Sequence, residues 1–418
     1  MKNLRTKKIL TIILISLAVI LLMGIATAVI YIISTYNTAY EPIDVVERSE
    51  TYVLPDYPVL DENPPENPDA GEEELILPPL TEETSAPEEI PPAESLPSSE
   101  ETAADPPETA PIIVPPVIQP SRPAQTTTPS APASTPSAPA QTTTKTPGKW
   151  RVFIREPIYR VDQINPNVIN ILLLGIDTRD VDLDRGRSDS MIVLSYNKQT
   201  GKINLISFLR DSLVPIEGHD WNRLNTAYAF GGVGMAVNTF NQLFGLDIQY
   251  YVAVDRPGVK NLLGSIGEIE LNLTQAEVDL YHQYGKTYLQ PGLNRLNADD
   301  VMMHISNRTT DSDFGRTRRQ RDVLISIAQK LLREKSLGEI LDIIELGTTI
   351  VGTNIDMMTM ISLTTSVVSQ KSSLSIDTHT VPAIDAYKAG WYKQMAILSF
   401  DIQSASSRVK EILYPSGK

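Results

Sequence analysis

The sequence predicts an α/β fold: a layered αβα domain with a central mixed sheet and helices on both faces, preceded by a transmembrane helix and a disordered linker. Three observations in the 418-residue chain predict it. A long uncharged apolar stretch lies near the start, prolines crowd the segment behind it, and from about Trp150 strand-like and helix-like apolar runs alternate.

Residues 1–8 carry Lys2, Arg5, Lys7 and Lys8, and residues 9–33 follow without a charge. Twenty-five helical residues span roughly 37 Å, enough to cross a hydrocarbon core of about 30 Å with some tilt. Basic residues lie before this stretch and Glu41, Asp44 and Glu47 after it. The positive-inside rule therefore predicts a single-pass cell-membrane protein with a cytoplasmic N-terminus and an extracellular C-terminal domain. Ala26-Thr27-Ala28 resembles a signal-peptide cleavage site, but the apolar run continues through Ile33, which favours an uncleaved anchor.

Residues 41–148 hold 24 of the 31 prolines, with 21 acidic and 3 basic residues. Such a composition cannot bury enough apolar surface to offset the entropy of ordering it, so the segment is expected to be a disordered linker. It is Pro/acidic at first and Pro/Ser/Thr-rich from about Pro111, with partial polyproline-II character. Its net charge of −18 exceeds the −15 of the whole chain, so residues 149–418 are nearly neutral. A neutral domain lacks the basic stripe that nucleic acid requires, and no nucleic-acid partner is expected. There is no cysteine, which excludes disulfides and thiolate metal sites. The four histidines are scattered, which argues against a histidine zinc site.

The domain is expected over residues 149–418, with its motifs in 168–333 and a C-terminal extension in 334–418. Residues 168–176 (VINILLLGI) read as a buried strand, and 191–196 and 202–209 as two more joined by a turn. Residues 223–244 have helical apolar spacing. A strand at 250–254, a helix at 257–263 and a strand at 268–273 follow, then a turn at Gln290-Pro291-Gly292. Helices are expected at 297–305, 315–334, 337–346, 357–368 and 403–413, with strands at 374–382 and 395–398. Gly231-Gly232-Val233-Gly234 lacks the pattern of a phosphate loop and reads as a helix break or close packing.

Charged residues gather at the ends of these strands. Asp177 and Arg179 follow the first, Arg187-Ser188-Asp189 precedes the second, and Arg210-Asp211 follows the third. Arg308, Arg316, Arg318, Arg319 and Arg321 come later, with Gln320 among them. The guanidinium fork suits phosphate, and two aspartates at strand ends suit a hard cation that shares phosphate oxygens. Taken singly, an Arg-Asp pair is more often a turn feature, and a basic helix face is more often simply solvated.

Six blocks in order change that balance: NILLLGIDTR, GRSDSMIVLSYN, INLISFLRDSLVPI, RLNTAYAFGGVGMAVNTF, YYVAVD and DFGRTRRQRDVL. Together they resemble the LytR-CpsA-Psr family of Gram-positive cell envelopes. The resemblance implies a phosphotransferase moving a glycopolymer, such as teichoic acid, capsule or another secondary wall polysaccharide, from a polyprenyl diphosphate carrier to peptidoglycan. The acceptor it implies is the 6-hydroxyl of N-acetylmuramic acid. It implies Mg2+ (or Mn2+) at Asp177 and Asp189, a catalytic set of Asp177, Asp189 and Arg210, and contact with membrane lipid. It implies diphosphate binding by Arg179, Arg187, Arg210, Arg223, Arg308, Arg316 and Gln320. One departure stands out: the family's RxR pair before the DFGR block reads Ser306-Asn307-Arg308 here. A polyprenyl-diphosphate hydrolase and a non-catalytic scaffold binding lipid-linked polymer are the competing readings, the second prompted by Ser306.

Overall fold

The computed structural model describes residues 43–48, 52–61, 155–177, 186–347 and 350–415. The expected anchor at 9–33 lies outside them, and among the described residues no helix is long and apolar enough to cross a membrane. Of the two units into which the chain divides, the one at Leu80–Gly148 also lies outside them.

In chain order the strands are β1 (Val45–Val46), β2 (Ile158–Tyr159), β3 (Val168–Asp177), β4 (Arg187–Asn197), β5 (Lys202–Phe208), β6 (Leu213–Pro215) and β7 (Trp221–Arg223). Helix α1 (Thr226–Phe244) follows, then β8 (Tyr250–Asp255), α2 (Arg256–Ile266), β9 (Ile269–Leu273), α3 (Gln275–Gln283) and β10 (Gly292–Leu296). The remainder is α4 (Ala298–Ser306), α5 (Asp313–Glu334), α6 (Leu337–Gly347), β11 (Gly352–Thr353), α7 (Met357–Ser369), β12 (Ser375–Val381), β13 (Lys388–Tyr392), β14 (Met395–Ser399) and α8 (Ile402–Leu413). The main sheet has the order β11-β8-β3-β4-β5-β12. It is mixed, with β3–β8 and β5–β12 parallel and its other pairs antiparallel.

The expected αβα layering forms, and the two faces of the sheet differ. Along β3 burial alternates strictly. Leu172, Leu174 and Ile176 are almost fully buried and pack with Phe240 and Phe244 of α1 in one core, which Val409 of α8 also joins. The intervening residues, led by Leu173, turn to the other face and line a cavity roofed by α2, α3, α4 and α5. Those helices and the antiparallel β9–β10 pair have a separate apolar core of Leu263, Leu271, Val278, Leu296 and Val323. The run VINILLLGI is therefore apolar on both sides for two reasons, a solid core and a hollow.

The glycine cluster of α1 serves both expected roles. Gly232 has φ 72° and breaks the helical path, a conformation glycine adopts without steric cost. At Gly234 a Cβ would lie 1.8 Å from the Glu156 carbonyl oxygen, so only glycine admits the segment leading into β2. That segment is pinned by Glu156 N donating to Gly231 O at 3.0 Å.

The linker assignment needs correction at its start. Residues 43–48 and 52–61, placed in the linker by composition, are docked on the domain. Strand β1 pairs in parallel with β2, and Asp61 bridges to Trp391. Ile43, Tyr52, Leu54 and Leu60 pack on the α1 core, and the Tyr57 ring lies 4.6 Å from that of Trp221. Arg48 forms an ion pair with Glu217 and lies over the rings of Tyr52 and Tyr159. Averaging over 108 residues hid this strap, whose apolar side chains are local and spaced to reach one groove. The 223–244 helix also starts later than expected, because Trp221–Arg223 forms β7 against β6.

Candidate active site

The site forms where the ends of β3 and β4, the loop after β5 and the first turn of α5 meet the mouth of the cavity. Residues 187–189, expected to precede a strand, lie inside β4. Ser190 pairs with Gly175 and Ser188 with Ile176, so Asp189 is an extra residue with no partner across the ladder. A β-bulge of this kind re-aims a side chain and is common beside active sites. The missing side chain of Gly175 makes room, since a Cβ there would sit 3.0 Å from Ser190 Cβ.

Asp189 is the hub. Arg210 Nη1 lies 3.2 Å and Arg308 Nη2 3.7 Å from its Oδ2. Asn225 Nδ2 donates to Oδ1 at 3.2 Å, and Arg316 Nη2 donates to the Asp189 backbone carbonyl at 3.5 Å. Arg316 also pairs with Asp313 at 2.5 Å within the first turn of α5. Ser190 Oγ donates to Gln320 Oε1 at 2.9 Å, tying α5 to β4. Asp177 ends β3 opposite Arg187 and lines the same cavity as Asp189, Arg308, Arg316 and Gln320.

Burial opposes the charge of Arg210, yet Asp211, Asp189 and Asp313 outweigh it and hold the guanidinium above its ordinary pKa. For Arg316 burial prevails over Asp313, and the neighbouring Arg210 and Arg308 lower its pKa further. Three arginines thus meet at one point, two of them depressing a third. A bound polyanion would relieve that repulsion.

Two expected residues are not seen in the cluster. Arg179 lies outside the described residues. Arg223 is buried behind Arg210, with Nε donating to the Ala396 carbonyl at 2.8 Å and lying 3.5 Å from Asp211. Its position supports Asp211, whose pKa burial raises despite Arg210 and Arg223. Asn225 and Asp313 escaped the sequence reading although both stand in the quoted blocks. Asn225 stitches the site together: its backbone N donates to Arg210 O, and its carbonyl accepts from Ser188 N.

Ser306 lines the cavity, but its hydroxyl donates back to Met302 O at 2.6 Å. Arg319 does not replace the missing arginine. It is 1 % exposed and holds Glu277, Asp311 and the carbonyls of His304 and Asn307. Arg318 is exposed and does not line the cavity.

A cation would find hard oxygens here. Asp177 and Asp189 face the cavity, and Asn225 Oδ1 is buried without a hydrogen-bond partner beside Asp189. No group of three or more His, Cys, Asp or Glu suited to a metal occurs among the described residues. Two carboxylates and an amide oxygen fit Mg2+, which keeps water and takes phosphate oxygens for its remaining positions.

Behind the mouth the cavity encloses about 680 Å³ and is walled by apolar side chains, among them Leu173, Ile192, Val254, Leu262, Met302 and Ile327. Such an arrangement accepts a molecule with an apolar tail and a strongly anionic head.

A family model described as the LytR_cpsA_psr family matches residues 139–408. A polyisoprenyl-teichoic acid–peptidoglycan teichoic acid transferase TagU of Oceanobacillus iheyensis is 35 % identical over 220 residues, covering 50 % of this chain and 66 % of that protein. The protein of the same name from Enterococcus faecalis is 34 % identical over 191 residues, covering 44 % and 61 %. The chain thus spans just under two thirds of the length of these relatives. A solved structure of TagT bound to LIIa-WTA superposes with a TM-score of 0.50 at 21 % identity, covering 61 % of this chain and 93 % of that one. This likeness shows a shared fold.

Proposed function

Because the chain belongs to the LytR_cpsA_psr family, we propose that it is a membrane-anchored phosphotransferase that moves a glycopolymer from a polyprenyl diphosphate carrier to peptidoglycan. The observation that carries this reading is the union of an apolar cavity with Arg210, Arg308 and Arg316 around Asp189 at its mouth. The names of the relatives support it, with teichoic acid as the polymer class.

The polyprenyl chain enters the cavity, and the diphosphate meets the arginines at its mouth. The acceptor hydroxyl attacks the phosphorus that bears the glycan, forming a new P–O bond. The bridging P–O bond breaks, and polyprenyl phosphate leaves with the electron pair. Asp177, Asp189 and Asp255 line the cavity, and since Asp255 caps helix α2, Asp177 and Asp189 are the carboxylates that take the hydroxyl proton in this reading. Arg210, Arg308 and Arg316 stabilise charge on the non-bridging oxygens, where positioned donors are most effective. Mg2+, held by Asp177, Asp189 and the Asn225 amide oxygen, would add charge neutralisation at the diphosphate.

Residues 9–33 serve as the anchor in this account. Only residues 34–42 separate them from the docked strap, and nine residues reach about 32 Å at most. The domain therefore stays at the membrane surface with its lipid substrate, and the long proline-rich segment does not set that distance.

The experiment follows phosphorus. With purified chain, lipid-linked polymer labelled at the glycan-bearing phosphate and peptidoglycan, label on the peptidoglycan supports transfer. Label freed into solution would indicate hydrolysis, and tight binding without turnover would indicate a scaffold.

A further inference from the structure

We infer that Arg256 is a diphosphate-binding residue of this cavity and takes the place that Ser306 leaves open; this rests on the polyprenyl diphosphate reading above and adds one contact to it. Arg256 and Ser306 line the same cavity. Ser306 offers the ligand no guanidinium, and its hydroxyl is committed to Met302 O.

The sheet explains how Arg256 arrives there. Strands β3 and β8 run parallel with Ile176 opposite Asp255, so Asp177 and Arg256 leave the same sheet edge one residue further on. Arg256 then opens helix α2. A cation in the first turn of a helix works against the helix dipole, so local helix stability gives no reason for an arginine here. Asp255 forms no ion pair with it, and that carboxylate caps the helix by accepting from Gly258 N at 2.8 Å.

An exposed arginine is ordinarily just solvated, and two facts set this one apart. The arginines lining the cavity among the described residues are Arg256, Arg308 and Arg316. Arg308 pairs with Asp189 and Arg316 with Asp313, whereas Arg256 has no ion pair among the described residues. It is the cavity-lining arginine that has no carboxylate partner among the described residues. A diphosphate supplies one, and the guanidinium fork matches its oxygens.

The test uses the full chain and geranylgeranyl diphosphate as the probe, with geranylgeraniol as the uncharged control. Arg256→Ala should weaken diphosphate binding about tenfold to a hundredfold, the loss expected for charge-assisted hydrogen bonds. Its affinity for geranylgeraniol and its thermal unfolding midpoint should not change. Adding Ser306→Arg to Arg256→Ala should restore diphosphate binding. Equal binding of the diphosphate by wild type and Arg256→Ala overturns the inference and leaves the proposed function standing. Failure of Ser306→Arg to restore binding overturns the link between the two positions. No binding of geranylgeranyl diphosphate by the wild type overturns the proposed function and this inference with it.

Discussion

Arg319 Nη2 donates to the backbone carbonyl of Asn307 at 2.6 Å, which fixes the residue directly before Arg308. The same guanidinium holds Asp311 at 2.6 Å and Glu277 at 3.3 Å. Asp311 in turn lies against Gly315, where a Cβ would be 1.7 Å from Asp311 Oδ2. A buried arginine thus shapes the loop that presents the half-buried Arg308 to the cavity.

Removing that guanidinium leaves Glu277 and Asp311 without their partner. Arg319→Leu should cost about 3–5 kcal/mol of stability, the usual penalty for breaking a buried ion pair. Arg318→Leu, one residue earlier and exposed, should change stability by no more than about 0.5 kcal/mol. Urea midpoints of the two variants check the contrast.

Gly234→Ala should destabilise the domain by about 1–3 kcal/mol, because the added methyl overlaps the Glu156 carbonyl and the β2 segment must shift. Gly264→Ala meets open space within helix α2 and should be neutral or slightly stabilising, as alanine is the better helix former. Thermal unfolding of both variants distinguishes close approach from mere helix propensity.

His304 gives the fold a pH dependence. Burial, opposed by Glu277, holds its imidazole at about 4, well below the ordinary 6.5, while Tyr281 OH lies 2.9 Å from Nδ1. Between about 4 and 6.5 the unfolded chain therefore binds more protons at this group than the folded one. Its contribution is complete above about 6.5 and is lost as the pH falls towards 4. Urea midpoints at pH 7 and pH 4.5 should diverge in the wild type, and His304→Gln should narrow the gap.

Much of this was legible in the sequence, and the misses have physical causes. The strands at 168–176 and 202–209 and the helix at 315–334 formed within two residues of their expected bounds, because a long apolar or amphipathic run specifies its own period. Helix α3 was missed although Thr274 and Glu277 spell its capping box, whose hydrogen bonds are present. The cavity could not be read, since Leu173 and Leu174 are alike in sequence and face a hollow and a core respectively. The bulge at Asp189 depends on pairing across strands, which a single strand's sequence does not record. Arg223 and Arg210 share a residue type and a neighbourhood, and only tertiary packing puts one behind the other.

The most direct test of the account is the rate of glycopolymer transfer to peptidoglycan by Asp189→Ala, with an unchanged unfolding transition as the control for the fold. Asp189 gathers Arg210, Arg308 and Asn225 at the mouth of the cavity. Its loss should lower the transfer rate by at least about 10²–10³, the scale seen when a positioned electrostatic group is removed from a transition state. Transfer at the wild-type rate by the folded variant would contradict the central claim that this constellation performs the chemistry.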